Sequence, residues 1–130
     1  MVAAQNRLPR MMAWAIIAMG IVMFLGYLIY LPNPSLFDQA NGQNNGLILY
    51  SLATAGAAFV AWGMMLGGLG ESGISRDRML LASTVGFAML ALMRLETALL
   101  PTYPFVQLRA LPIVECVVFV ALALRMYTLR

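Results

Sequence analysis

The chain of 130 residues contains no histidine and no lysine, and it has only one cysteine. The missing histidine excludes histidine-ligated haem, histidine-based metal sites and a histidine general base. Cys116 lies in an apolar run, so neither a disulfide within the chain nor a CxxC motif is present, and we interpret it as a packing residue. Walker, dinucleotide-binding and GxSxG motifs are also missing. The sequence therefore predicts no catalytic residues, no metal site and no cofactor.

Charged residues are scarce as well, because they make up 10% of the chain while hydrophobic residues make up 62%. An ordinary soluble domain, in which about a quarter of the residues are charged, is excluded. The apolar residues form four runs, and a helix needs about 20 such residues to cross a membrane. We predict an all-α fold, a four-helix transmembrane bundle that forms a single domain over residues 1–130. The predicted spans are about 11–31, 46–66, 79–100 and 111–126.

Three turn-rich or hydrophilic connections separate the runs, at 32–45, 67–78 and 99–110. The first run is too long for a secretory signal, and no small-residue cleavage site precedes Pro32, so we interpret it as an uncleaved helix. Aromatic residues cluster near the span ends, and we expect them to face the interface between membrane and water. These residues are Tyr27, Tyr30, Tyr103, Phe105 and Tyr127.

All eight basic residues are arginines, and seven of them lie near span ends. Only Arg109 lies on the side of the first and third connections. The other six lie on the side of the termini: Arg7, Arg10, Arg76, Arg78, Arg125 and Arg130. The positive-inside rule then predicts that both termini lie in the cytoplasm. Nucleic acid is not an expected partner, because these arginines are explained by their positions at the ends of the spans.

The second span carries glycines at regular intervals, which suggests a narrow face for helix packing. Gly63 and Gly67 form a GxxxG motif, and Gly56 precedes Gly63 by seven residues. Small residues let helix backbones approach closely in lipid, so we expect this helix at the centre of the bundle. The alternative stays open that glycine is simply frequent in membrane helices.

Three ionisable residues lie inside the predicted spans, where an unpaired charge is costly. Arg94 is six residues before Leu100, and Glu115 is four residues after Leu111. Both therefore lie roughly 6 to 9 Å below the outer helix ends, and we predict that they form an intramembrane ion pair.

Glu96 is two positions from Arg94 and projects toward another side of the helix. Gln107, Arg109, Tyr103 or water are the candidates that would satisfy its carboxylate. One interpretation is that Arg94 and Glu115 are a structural clasp. The other is that Arg94, Glu96 and Glu115 line a polar pocket, and we favour the clasp.

The order of these elements resembles a family of small bacterial four-span membrane proteins that is similar to the DoxX-like proteins. The resemblance is carried by Gly56 and Gly63 in the second helix, by Arg94 in LMRLETALLP and by Glu115 in LPIVECVVF. The chain departs from the family at Asn45, because the expected Arg-x-Tyr-Gly-Gly-like start of the second helix is missing. The resemblance implies a fold, a location in the bacterial inner membrane and a pairing of Arg94 with Glu115, and it implies no reaction.

Two functions fit this sequence. The first is an accessory or structural subunit that contacts membrane lipids and binds other integral membrane proteins, or associates with itself. It is favoured by the small extramembrane mass, the small-residue helix faces and the missing catalytic groups. The alternative is a binding or transport protein for a small molecule, such as a lipid or another hydrophobic molecule, with a pocket around Arg94, Glu96 and Glu115.

Overall fold

The structure is a computed structural model, and it describes residues 7–36, 45–69, 73–100, 105 and 107–130. The described part contains four long helices: α1 (Arg7–Tyr30), α2 (Gly46–Gly67), α3 (Arg76–Leu99) and α4 (Ala110–Thr128). A short 3-10 turn, Pro34–Leu36, follows α1. Each of the four helices is long and apolar enough to cross a membrane. The prediction of an all-helical fold with four such helices is confirmed.

Two of the helices begin earlier than the apolar runs indicate. α1 includes Arg7 and Arg10, which the prediction had left outside the first span. α3 begins at Arg76 because the Ser75 hydroxyl caps its first turn and accepts a hydrogen bond from the backbone N–H of Arg78 at 3.2 Å. Asp77 in that turn adds a negative charge where the helix dipole favours one. Arg76, Asp77 and Arg78 of the predicted connection therefore belong to the helix.

The helices pack in chain order. α1 lies along α2, α3 lies along α4, and the contact between α2 and α3 joins the two pairs. α2 and α3 thus each contact two neighbouring helices, and the prediction that α2 packs inside the bundle fits this arrangement without distinguishing α2 from α3.

The glycines of α2 permit a close crossing with α1. A Cβ atom on Gly56 would lie 2.5 Å from the carbonyl oxygen of Gly20, and a Cβ atom on Gly20 would lie 2.5 Å from the carbonyl oxygen of Gly56. Gly63 is similarly confined, because a Cβ atom there would lie 2.5 Å from Ile17 Cγ1. Gly67 is exposed at the helix end, where a Cβ atom would be 3.3 Å from an Arg78 nitrogen. The backbones of α1 and α2 meet only because these positions lack side chains.

The prediction that Tyr27 and Tyr30 face the membrane–water interface is wrong. Each is about 1% exposed and packs in the core with Phe24, Leu31 and Met93. Burial is favourable because the rings remove a large apolar area from the surroundings, and the Tyr27 hydroxyl has a partner inside the protein. Phe105, also predicted at the interface, is buried against Tyr50, with the ring centroids 4.6 Å apart. Tyr103 lies outside the described residues.

Candidate functional site

Arg94 is the centre of the polar interior. Its side chain projects from α3 and is only 6% exposed. The Nε group donates a hydrogen bond to Oε2 of Glu115 on α4. The Nη1 group lies 3.4 Å from Thr54 Oγ1 on α2 and 3.7 Å from the sulfur of Met93. One guanidinium group therefore contacts side chains of α2, α3 and α4.

Aromatic rings cover the Arg94 guanidinium. Its carbon atom Cζ lies 4.3 Å from the centre of the Tyr50 ring and 5.6 Å from the centre of the Phe119 ring. Both distances are within the range in which a cation is attracted to a ring face. Phe105 in turn packs against Tyr50. The side chains around the guanidinium therefore fill the space that a ligand of Arg94 would need.

Glu115 is less completely enclosed than its partner. Its Oε2 atom accepts a second hydrogen bond, from the Tyr50 hydroxyl at 3.1 Å. The side chain is 32% exposed, and no hydrogen bond to Oε1 occurs within the part of the chain that the structure describes. Oε2 of Glu115 is thus hydrogen-bonded inside the bundle, whereas Oε1 has no such partner within the described ranges, on a side chain that is partly exposed at the bundle surface.

A second hydrogen bond attaches α1 to this region. The Tyr27 hydroxyl lies 2.6 Å from Thr97 Oγ1, and Thr97 donates its own proton to the carbonyl oxygen of Met93 at 2.8 Å. Tyr27 is therefore the donor in the first bond. The Tyr27 ring also packs edge-on against Tyr50, with the centroids 5.6 Å apart. We call the set Arg94, Glu115, Tyr50, Thr54, Tyr27 and Thr97 the Arg94 cluster, and it draws on all four helices.

Glu96 does not belong to the Arg94 cluster. It is half-buried on α3, and its carboxylate forms no hydrogen bond or ion pair with another described residue. Of its proposed partners, Gln107 and Arg109 are exposed before the start of α4, and Tyr103 lies outside the described residues. Of the three ionisable residues predicted within the spans, the structure therefore brings together Arg94 and Glu115 and leaves Glu96 apart.

The sequence contained a signal for the residues that the prediction missed. Tyr50 lies four residues into α2, and Tyr27 and Thr97 lie two or three residues before the ends of α1 and α3. These distances from the outer helix ends are close to those of Arg94 and Glu115. Applying the same depth argument to hydroxyl groups as well as to charges would have predicted this layer of polar residues.

The Arg94 cluster joins the four helices through polar side chains that bind one another. No buried side-chain nitrogen or oxygen of the described residues lacks a hydrogen-bond partner. Within the same residues, no group of three acidic, cysteine or histidine side chains converges as a metal would require. A network with all its buried groups satisfied stabilises one arrangement of the helices.

Comparisons with known proteins add no family to this description. No protein-family model, curated protein or solved structure matches the chain. The function is therefore inferred from the geometry of the chain itself.

Proposed function

We propose that this protein is an integral membrane subunit with a structural role, and that α4 binds a transmembrane helix of another membrane protein. The observation that carries the proposal is the difference between the two carboxylate oxygens of Glu115. One of its oxygens is held by Arg94 and Tyr50, while the other is open beside an uncovered apolar helix face.

The interior of the protein supports a structural role. Arg94 is enclosed by protein groups, and its charge is balanced by Glu115. A binding pocket around Arg94, Glu96 and Glu115 has less support, because rings already cover the guanidinium and Glu96 lies outside the Arg94 cluster. The polar groups of the Arg94 cluster thus form hydrogen bonds with one another.

The outer surface of α4 supports a protein partner. Leu111 and Val118 lie one turn on either side of Glu115, and both are exposed. Lipid tails would cover these apolar side chains but supply no hydrogen-bond donor to a carboxylate oxygen, whereas a partner helix supplies both. The exposed apolar residues, which we call the outer face of α4, are Leu111, Ile113, Val114, Val117, Val118, Val120 and Leu124.

The arrangement of the ends supports an orientation with both termini in the cytoplasm. Asp77 at the start of α3 binds Arg130 at the chain end, through contacts of 2.8 and 3.3 Å. The hydrogen bond and the charge of Asp77 raise the pKa of Arg130. Six arginines lie at this end of the four helices, and only Arg109 lies at the other. By the positive-inside rule, the arginine-rich end is the cytoplasmic one, and in a bacterium the membrane is the inner membrane.

Native mass spectrometry of the protein purified from its own membranes in a mild detergent tests the proposal. We expect a particle that contains this chain and one integral membrane protein in a fixed ratio. Val118→Trp places a large ring on the outer face of α4 and is expected to reduce recovery of the partner about tenfold, which corresponds to about 1.4 kcal/mol.

Val22→Trp is the matched control, because Val22 on α1 is also an exposed valine. This variant is expected to keep the partner. A chain that is always a monomer, a particle made only of copies of this chain, or an equal loss of partner in both variants would contradict the proposal.

A further inference from the structure

A cavity of about 460 Å³ lies between α1 and α2, at the end where α1 begins and α2 ends. Its walls are mainly apolar and include Trp14, Ile17 and Val60. Arg10 from α1 and Arg78 from α3 also line it. The volume is within the range of roughly 300 to 1,000 Å³ found for small-molecule sites. An apolar space bordered by two cations indicates a ligand that has both an apolar part and an anionic part.

Arg78 is held in position by the end of α2. Its Nε group donates a hydrogen bond of 2.7 Å to the carbonyl oxygen of Met64. Its aliphatic part lies against Gly68, where a Cβ atom would be only 2.6 Å from Arg78 Cγ. Since a guanidinium group has five N–H donors, this contact leaves others for a ligand. The cation is therefore fixed beside the cavity while most of its donors remain available.

The Arg10 guanidinium forms no ion pair or hydrogen bond with another described residue. Asp77, the acidic residue in the first turn of α3, is already bound to Arg130. Within the described residues, neither Arg10 nor Arg78 is neutralised by a carboxylate. An anion between them would gain from two positive charges without displacing an existing ion pair.

We propose that this cavity binds one anionic phospholipid, with its phosphate between Arg10 and Arg78 and an acyl chain against Ile17 and Val60. Guanidinium groups match phosphate geometry, and basic pockets between membrane helices at the cytoplasmic side are suited to anionic head groups. The apolar walls favour a lipid over free phosphate, because a soluble ion would leave them uncovered. Trp14 borders the cavity with an exposed ring, which suits contact with a lipid near the membrane interface. The proposal depends on the membrane insertion proposed above, and it does not depend on a protein partner.

Native mass spectrometry of the purified chain tests the site with two probes, dioleoylphosphatidylglycerol and dioleoylphosphatidylcholine. We expect one phosphatidylglycerol molecule to bind at least tenfold more tightly than phosphatidylcholine. Arg10→Gln is expected to lower the preference for phosphatidylglycerol over phosphatidylcholine about tenfold. Arg10→Lys keeps the charge and is expected to retain most of the preference. Arg125→Gln, which removes an exposed arginine of α4 away from the cavity, is the matched control and is expected to leave the preference unchanged.

Three results would overturn the lipid site. Equal affinity for the two lipids would show that the anionic group is not recognised. An equal loss in Arg10→Gln and Arg125→Gln would indicate attraction by the net charge of the surface. Competition by millimolar inorganic phosphate would indicate a site for the free ion. All three are measured on the isolated chain, so they are distinct from the loss of a protein partner that would contradict the proposed function.

Discussion

Removing both members of the Arg94–Glu115 pair is expected to destabilise the protein less than the sum of the two single removals. In Glu115→Met, the Arg94 guanidinium stays charged, 6% exposed and without a carboxylate, and we expect a loss of about 4 kcal/mol in the free energy of unfolding. In Arg94→Met, the remaining carboxylate is 32% exposed, so the expected loss is smaller, about 3 kcal/mol. The double variant leaves no unpaired charge, and we expect it to lose about 4 kcal/mol.

The measured quantity is the coupling energy of the double-mutant cycle, from equilibrium unfolding in mixed micelles followed by circular dichroism. The expected losses differ from additivity by about 3 kcal/mol, at the upper end of the coupling seen between contacting residues. Arg76→Met combined with Glu115→Met is the control, because Arg76 is exposed at the opposite end of α3. That pair is expected to be additive within about 0.5 kcal/mol. Additivity of the Arg94 and Glu115 variants as well would refute a direct interaction.

Two further predictions use the same unfolding measurement. Gly20→Ala is expected to lower the free energy of unfolding by about 1 to 3 kcal/mol, because the new Cβ atom would meet the carbonyl oxygen of Gly56. Gly26→Ala on the same helix is the control, because its Cβ atom would meet nothing within 4 Å. That variant should be neutral or stabilising by up to about 1 kcal/mol. Equal effects would contradict the close crossing of α1 and α2. Tyr27→Phe removes the hydrogen bond to Thr97 and should cost about 1 kcal/mol, while Tyr127→Phe should change stability by less than about 0.5 kcal/mol. If Tyr27→Phe leaves the free energy of unfolding unchanged, the hydrogen bond to Thr97 does not stabilise the contact of α1 with α3.

The number and approximate position of the helices could be predicted because each apolar run has the length that a membrane helix requires. Their first turns could not be found from hydrophobicity, since charged residues there are held by local interactions. α3 shows this, because Ser75 caps a turn that contains Arg76, Asp77 and Arg78. Ser75, two residues before the acidic Asp77, is an N-cap signal in the sequence. The apolar run begins only at Met79, four residues after Ser75, so hydropathy places the start of the helix too late.

The sequence also led to Arg94 and Glu115, because position along a helix determines depth and the two residues lie at similar depth. Depth alone does not determine which side of a helix faces the core. This is why Tyr27 was predicted at the membrane–water interface, although its ring is buried and its hydroxyl bonds to Thr97. The cation–ring contact between Arg94 and Tyr50 depends on the rotation of α2 and α3 about their axes, which the packing of the glycine face determines.

The cavity beside Arg10 and Arg78 lay beyond sequence reasoning for a similar reason. It exists only where three helices meet, and it brings together two arginines that are 68 residues apart in the chain. The positive-inside rule accounts for both arginines through their location at span ends. It says nothing about whether they converge on one space.

The most direct test is the mass of the wild-type particle extracted from its own membranes in a mild detergent. We propose that the polar groups of the Arg94 cluster are satisfied within the chain and that the outer face of α4 binds another protein. This proposal predicts a particle that contains this chain and a second integral membrane protein in a fixed ratio, and that loses the second protein in Val118→Trp but not in Val22→Trp. A folded protein found only as a single chain would contradict it.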